Sequence, residues 1–250
     1  MKNLRRAGGF TLVELISALF VGGLLMSAVY FTMISGQKSS AGVERKVAAQ
    51  QDVRAALDIM AVEIGMASHN PFFALPGQIW VNPATCTGPT PNPQYKGIQV
   101  ATPLAITVEM DIGGSGPGGI QEDGIIGTNE IISYAYDAAS QTITRSVSCG
   151  TADPFLGGGP NAAAGTKTVN LINTDITAPI KNGANVPAIF RYYKSDGTEL
   201  YPDTTPANIP NIRRIDITLA AQTEEKDPST NAYRKMIYST SVLVRNHAIQ

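Results

Sequence analysis

A run of twenty-five residues, Phe10 to Ile34, reads FTLVELISALFVGGLLMSAVYFTMI and carries one side chain charged at neutral pH, Glu14. As a helix it extends roughly 37 Å at ~1.5 Å per residue, enough to cross a hydrocarbon core of about 30 Å. A carboxylate inside such a span costs roughly 2.5–3.5 kcal/mol on insertion scales, so it normally has a partner and a task. The competing reading is a tolerated polar residue one turn from the membrane interface.

The residues in front of the run set its orientation. Lys2, Arg5 and Arg6 form a short basic leader, and the positive-inside bias keeps that end in the cytoplasm with the rest of the chain outside. An ordinary secretory signal has a shorter apolar region followed by small residues at its cleavage site. Here Ala7, Gly8 and Gly9 precede the apolar run. A cut at that point removes the charges and keeps the hydrophobic helix.

Gly9-Phe10-Thr11-Leu12-Val13-Glu14, behind a basic leader and ahead of an apolar run, closely resembles the cleavage and methylation motif of type IV prepilins and type II secretion pseudopilins. The resemblance implies that a prepilin peptidase/N-methyltransferase cleaves between Gly9 and Phe10 at the cytoplasmic face and that the new amino group of Phe10 is methylated. It also implies that Glu14 pairs with the Phe10 amine of a neighbouring subunit during assembly. The chemistry of the two groups agrees with that role. An ammonium and a carboxylate are each costly alone in lipid, and pairing between subunits relieves both. Because the amine must lie level with its carboxylate partner, one ion pair sets the axial stagger between helices.

Loss of Lys2, Arg5 and Arg6 takes Lys plus Arg from 19 to 16 against 20 Asp plus Glu, a formal net charge of −4 for the mature chain. That balance offers nothing to nucleic acid. With 24 Gly, 16 Pro and few charges, the remainder reads as a loop-rich, extracytoplasmic β domain.

From Val43 a second helical pattern begins. Val53, Leu57, Met60, Ile64 and Ala67 recur at spacings of 4, 3, 4 and 3, on one stripe, and His69-Asn70-Pro71 reads as a stop. One helix from about Phe10 to Ser68 is expected. Its weak point is Gly22-Gly23, where the helix could unwind locally or, alternatively, let a neighbouring helix approach closely. After Pro71 the pattern turns to short strands: Ile98–Ala101, Leu104–Asp111, Glu130–Asp137, Thr142–Cys149, Ala188–Tyr193, Ile212–Ala220 and Met236–Val244. The clearest hairpin turns at Asp137-Ala-Ala-Ser-Gln. The expected fold is α+β and pilin-like, a long N-terminal helix packed on an antiparallel sheet with long loops. Its segments are a leader at 1–9, a transmembrane and filament-core helix at 10–34, an amphipathic continuation at 35–70, and a β-rich globular domain at 71–250.

Three long irregular stretches, Pro71–Gln94, Ile112–Asn129 and Gly150–Thr166, offer surfaces for partner contacts. Cys86 and Cys149 lie in or beside two of them. In an oxidising periplasm a bridge closing about 60 residues contributes about 4 kcal/mol in the chain-entropy model, the alternative being two separate thiols. His69 and His247 are isolated and read as structural.

No enzyme signature is found. Gly114-Ser-Gly116-Pro-Gly-Gly119 satisfies a dinucleotide-binding spacing, but Pro117 interrupts it and no amphipathic helix follows. Asp123-Gly124-Ile-Ile126-Gly-Thr-Asn-Glu130 matches the second half of an EF-hand loop, whereas Gly119 and Gln121 stand where strong ligands belong. Two readings follow: an acidic, Gly-rich turn, or a calcium site with Asp111, Asp123 and Glu130 as ligands.

Within the superfamily, Gln50-Gln-Asp-Val-Arg-Ala-Ala-Leu-Asp, Arg213-Arg-Ile-Asp-Ile-Thr-Leu and Val242-Leu-Val-Arg245-Asn246 resemble PilW-type minor pilins and the related GspJ-type minor pseudopilins. That resemblance implies a low-abundance subunit of the complex that starts or tips a type IV pilus, anchored in the inner membrane with its N terminus cytoplasmic before it reaches the cell surface. Its partners would be the other major and minor pilins. A minor pseudopilin of a type II secretion system is the close alternative, and a calcium-responsive adhesive tip module is a reading of another class.

Overall fold

A computed structural model describes residues 9–113, 122–127, 129–158, 168–173, 183 and 186–249. Leader residues 1–8, the Gly114–Gly119 motif and the Gly119 and Gln121 positions of the EF-hand comparison lie outside the described residues.

Helix α1, Leu12–Gly65, is a single 54-residue element that runs unbroken through Gly22 and Gly23. Its side chains differ in burial along its length. Large apolar side chains from Leu12 to Met33 are exposed, whereas Ala49, Val53, Ala56, Leu57, Met60 and Ile64 are buried on one stripe. The helix stops three residues earlier than expected. The Met66 N–H reaches the Val62 and Glu63 carbonyls, and Ser68 takes a left-handed φ of 64° that turns the chain away.

The strands form two antiparallel sheets where the sequence suggested one. The first runs β1 (Ile98–Ala101), β2 (Ala105–Glu109), β3 (Ile131–Asp137), β4 (Thr142–Val147) and β5 (Asp153–Gly157), neighbours in chain order. Its central hairpin pairs Asp137 with Thr142, and the Asp137 carboxylate accepts the Ala139 N–H at 2.9 Å, so the expected turn carries its own side-chain brace. The second sheet has β6 (Val169–Leu171), β7 (Phe190–Tyr193), β8 (Glu199–Leu200), β9 (Arg214–Thr223) and β10 (Lys235–Leu243), with β9 central. Strand β5 falls inside a stretch expected to be irregular. The segment Pro71–Gln94 also holds a short helix, α2 (Pro76–Ile79), and the chain closes with α3 (Arg245–Ile249).

The inner faces of both sheets and the buried stripe of α1 share one core, with Ile106, Val108 and Tyr134 from the first sheet and Phe190, Ile215 and Ile217 from the second. Arg54 of α1 lies over the Tyr238 ring at 5.2 Å, which pins the helix to β10. A second cluster, Ile79, Trp80, Ile126 and Ile131, lies under the segment between Pro71 and Tyr95 on the opposite face of the first sheet.

Candidate functional site

Gly9 and Phe10 stand exposed ahead of the helix, Phe10 at 89 %. Thr11 is the N-cap, with extended φ and ψ of −80° and 151°. Its hydroxyl accepts the Glu14 N–H at 3.3 Å, and Oε2 of Glu14 reaches back to accept the Thr11 N–H at 3.0 Å. This reciprocal pair is a capping box. It satisfies two helix-terminal N–H groups and places acidic charge in the first turn, where the helix dipole favours it. Oε2 also takes the Thr11 hydroxyl at 3.0 Å, while Oε1 takes no hydrogen bond among the described residues. One carboxylate oxygen therefore holds the cap and the other faces outward. Thr11-x-x-Glu14 was legible as a capping box, and reading Glu14 only as an intramembrane charge misses it.

Phe10, Glu14, Leu15, Ala18, Leu19, Gly22, Gly23 and Met26 line a shallow concave surface along one side of the helix. A Cβ at Gly22 or Gly23 would meet nothing within 4 Å, so among the described residues the glycines make room for no contact. The apolar part of α1 is exposed, and the helix is long and apolar enough to cross a membrane.

Cys86 and Cys149 are joined by a disulfide with a Cα–Cα distance of 5.8 Å. It ties the covering segment that carries Trp80 to the end of β4. Asp111 is buried and accepts the N–H groups of Asp123 at 3.3 Å and Gly124 at 2.8 Å. Glu130, also buried, accepts those of Ile112 at 2.8 Å, Gly113 at 2.7 Å and Gly127 at 2.5 Å. The exposed Asp123 carboxylate accepts the Ile125 N–H at 3.0 Å. These carboxylates brace the loop's backbone, and among the described residues no group of three His, Cys, Asp or Glu is arranged to hold a metal ion.

The two histidines separate by environment. His69 lies 3.6 Å from the Glu122 carboxylate at the surface. His247 is buried, with Nε2 2.9 Å from the Ile209 carbonyl and Nδ1 2.7 Å from the Ser68 hydroxyl. Since a carbonyl only accepts, Nε2 carries the proton and Nδ1 accepts from Ser68. Burial pushes the imidazole pKa down to about 4, opposed by the Ile209 carbonyl and assisted by the charges of Lys96 and Arg213. The Ser68 hydroxyl in turn accepts the Gly97 N–H at 3.0 Å, so this knot joins the end of α1, the start of β1 and α3. Its groups are buried and structural.

Residues 4–30 match the family model for the prokaryotic N-terminal methylation motif. No curated protein and no solved structure matches the chain. The matched segment ends inside the exposed half of α1, and together with that long apolar helix and the antiparallel head it supports a type IV prepilin-like family for this chain.

Proposed function

We propose that the chain is a minor pilin, incorporated in small numbers into the complex that starts or tips a type IV pilus. The observation that carries this reading is the half-exposed helix: an apolar segment without partners among the described residues, headed by Phe10 and a capped Glu14 whose Oε1 takes no hydrogen bond from them. Cleavage after Gly9 would create an ammonium at Phe10, one residue from the cap. Within one subunit Oε2 is already committed to Thr11. Oε1 remains for the amine of a neighbour, and that pairing draws a second helix alongside at a fixed stagger. Before assembly the same helix holds the chain in the inner membrane with its basic leader cytoplasmic.

The choice of a minor subunit rests on the sequence resemblance in three places. Gln50–Asp58 carries Val53, Ala56 and Leu57 of the buried stripe, Arg213–Leu219 leads into and forms the first part of the central β9, and Val242–Asn246 joins β10 to α3. A deletion strain scored for both surface pili and secreted enzymes tests the reading. Loss of pili with normal secretion is expected, and intact pili with lost secretion would assign the chain to a type II secretion pseudopilus instead.

A further inference from the structure

The second sheet ends on β10, and the ladder geometry shows which of its main-chain groups face away from β9. The Thr223 N–H donates to the Arg234 carbonyl and the Val244 N–H to the Arg213 carbonyl, each between residues directly opposite in the register. Even-numbered residues of β10 therefore bond to β9, and odd-numbered residues turn their N–H and C=O groups outward. Among the described residues, the outward groups of Ile237, Ser239, Ser241 and Leu243 have no main-chain partner. The side chains of all four are exposed, Ile237 by 57 % and Leu243 by 56 %.

Other edges in the two sheets carry features that discourage pairing. β1 has four residues and a register irregularity, β5 contains Pro154 and another irregularity, and β8 has two residues. β10 holds nine consecutive pairs without a bulge, contains no proline and has a single charge, Lys235, at its start. Such an edge presents a regular row of donors and acceptors at strand spacing, and its chemical complement is another extended backbone.

We propose that β10 is a strand-addition site for an extended segment of a different subunit in the same filament. The inference rests on the filament reading above. A second copy of this chain fits less well. Antiparallel β10–β10 pairing needs a two-fold axis normal to the sheet, and α1 lies against the face of β9 and β10, with a Cβ at Gly65 falling 3.4 Å from Val242. That axis would run the two helices in opposite directions, against the one orientation that the basic leader imposes. An added strand instead leaves the helices parallel, while Ile237 and Leu243 pack on its alternate side chains.

Hydrogen exchange of the full-length processed chain, in detergent and in purified pili, tests the proposal. In detergent the amides of Ile237, Ser239, Ser241 and Leu243 should exchange quickly, and in pili they should slow by about tenfold or more. Ser239→Pro removes an outward N–H without touching the β9 ladder, so it should melt near wild type yet enter pili at least about tenfold less. Thr240→Pro, which removes a bond to β9, should lower the melting temperature and so verify the ladder's direction. Fast exchange of the four amides in pili overturns the proposal, as does wild-type incorporation of Ser239→Pro. If Ser239→Pro fails to fold, the exchange comparison decides alone. Concentration-dependent protection of the same amides in detergent would replace the proposed occupant with a second copy. Absence of the chain from pili removes the filament reading and this inference together, whereas presence with fast exchange removes the inference alone.

Discussion

Glu63 of the long helix accepts two hydrogen bonds from the Arg145 guanidinium on β4, at 2.7 and 3.1 Å, and so fastens α1 to the first sheet. The Tyr134 hydroxyl donates to the same carboxylate, and hydrogen bonding to Glu63 raises the Arg145 pKa further. Both partners are partly shielded, with side-chain exposures of 29 % and 19 %. Removing the acceptor by Glu63→Leu should cost about 2 kcal/mol, since it strands a half-buried guanidinium and a tyrosine hydroxyl. A melting temperature lower by about 4–8 °C is the expected result. Arg145→Met in the same background should then cost little more, because the charge left without its partner is gone.

Two buried titratable groups give stability opposite pH dependences. His247 is neutral when folded, with a pKa near 4 against 6.5 unfolded, so its contribution is complete above 6.5 and is lost as pH falls towards 4. The loss approaches about 3 kcal/mol. Glu109 is fully buried, its Oε2 accepts the Val81 N–H at 3.1 Å, and burial raises its pKa to about 8. Its contribution is complete below 4.5 and is lost as pH rises towards 8. Denaturation across this range should show Glu109→Gln more stable than wild type at pH 8, with the advantage vanishing near pH 4.

Close approach of the helix to the β9–β10 connection depends on Gly42. A Cβ there would fall 3.1 Å from Oδ2 of Asp227, whose carboxylate holds Ser229 and Arg234. Arg45, one turn on, bonds Glu225 at 2.5 Å. Gly42→Val should therefore destabilise by about 1–3 kcal/mol through overpacking, with Gly42→Ala milder. Chemical denaturation of both variants measures the order.

Calcium offers a separate check on the acidic loop. Asp111 and Glu130 accept five backbone N–H groups between them, so these carboxylates are committed to bracing the loop's own backbone. The expected result is equal melting temperatures in millimolar calcium and in chelator. A rise with calcium that Asp123→Ala abolishes would instead support an ion in this loop.

Sequence legibility followed the locality of the signal. The helix was legible because its apolar run and its 4-3-4-3 stripe are periodic in sequence, and the stop was displaced only by the left-handed turn at Ser68. Seven strands were legible from alternating or apolar runs. β5 was not, since Asp153-Pro-Phe-Leu-Gly contains both residues that normally break strands, and pairing with β4 overrides them. β6 and β8, with three and two residues, are too short to show a period. The division into two sheets is set by pairings such as Val169 with Thr223, distant in sequence, and no local pattern encodes them. At the candidate site, Glu14 stands out as the charged residue of the apolar run, while Gly9 and Phe10 are picked out by the resemblance to the prepilin motif. Contacts such as Glu63–Arg145 require the tertiary fold to bring residues 82 positions apart together.

Substitution of Glu14 tests the central claim, that this carboxylate registers the helix against a neighbouring subunit. Glu14→Val removes both the cap and the charge, so it confounds two effects. Glu14→Gln separates them, because a glutamine at the third helical position can still accept the Thr11 N–H but cannot form an ion pair. The decisive measurement is the amount of each variant in sheared pili, in a strain without another copy, beside its membrane level and its N-terminal residue by intact mass. Both variants should be inserted and begin at Phe10, and both should be depleted from pili by about tenfold or more, as expected when a desolvated charge is left without its partner. Incorporation of Glu14→Gln at the wild-type level would contradict the account.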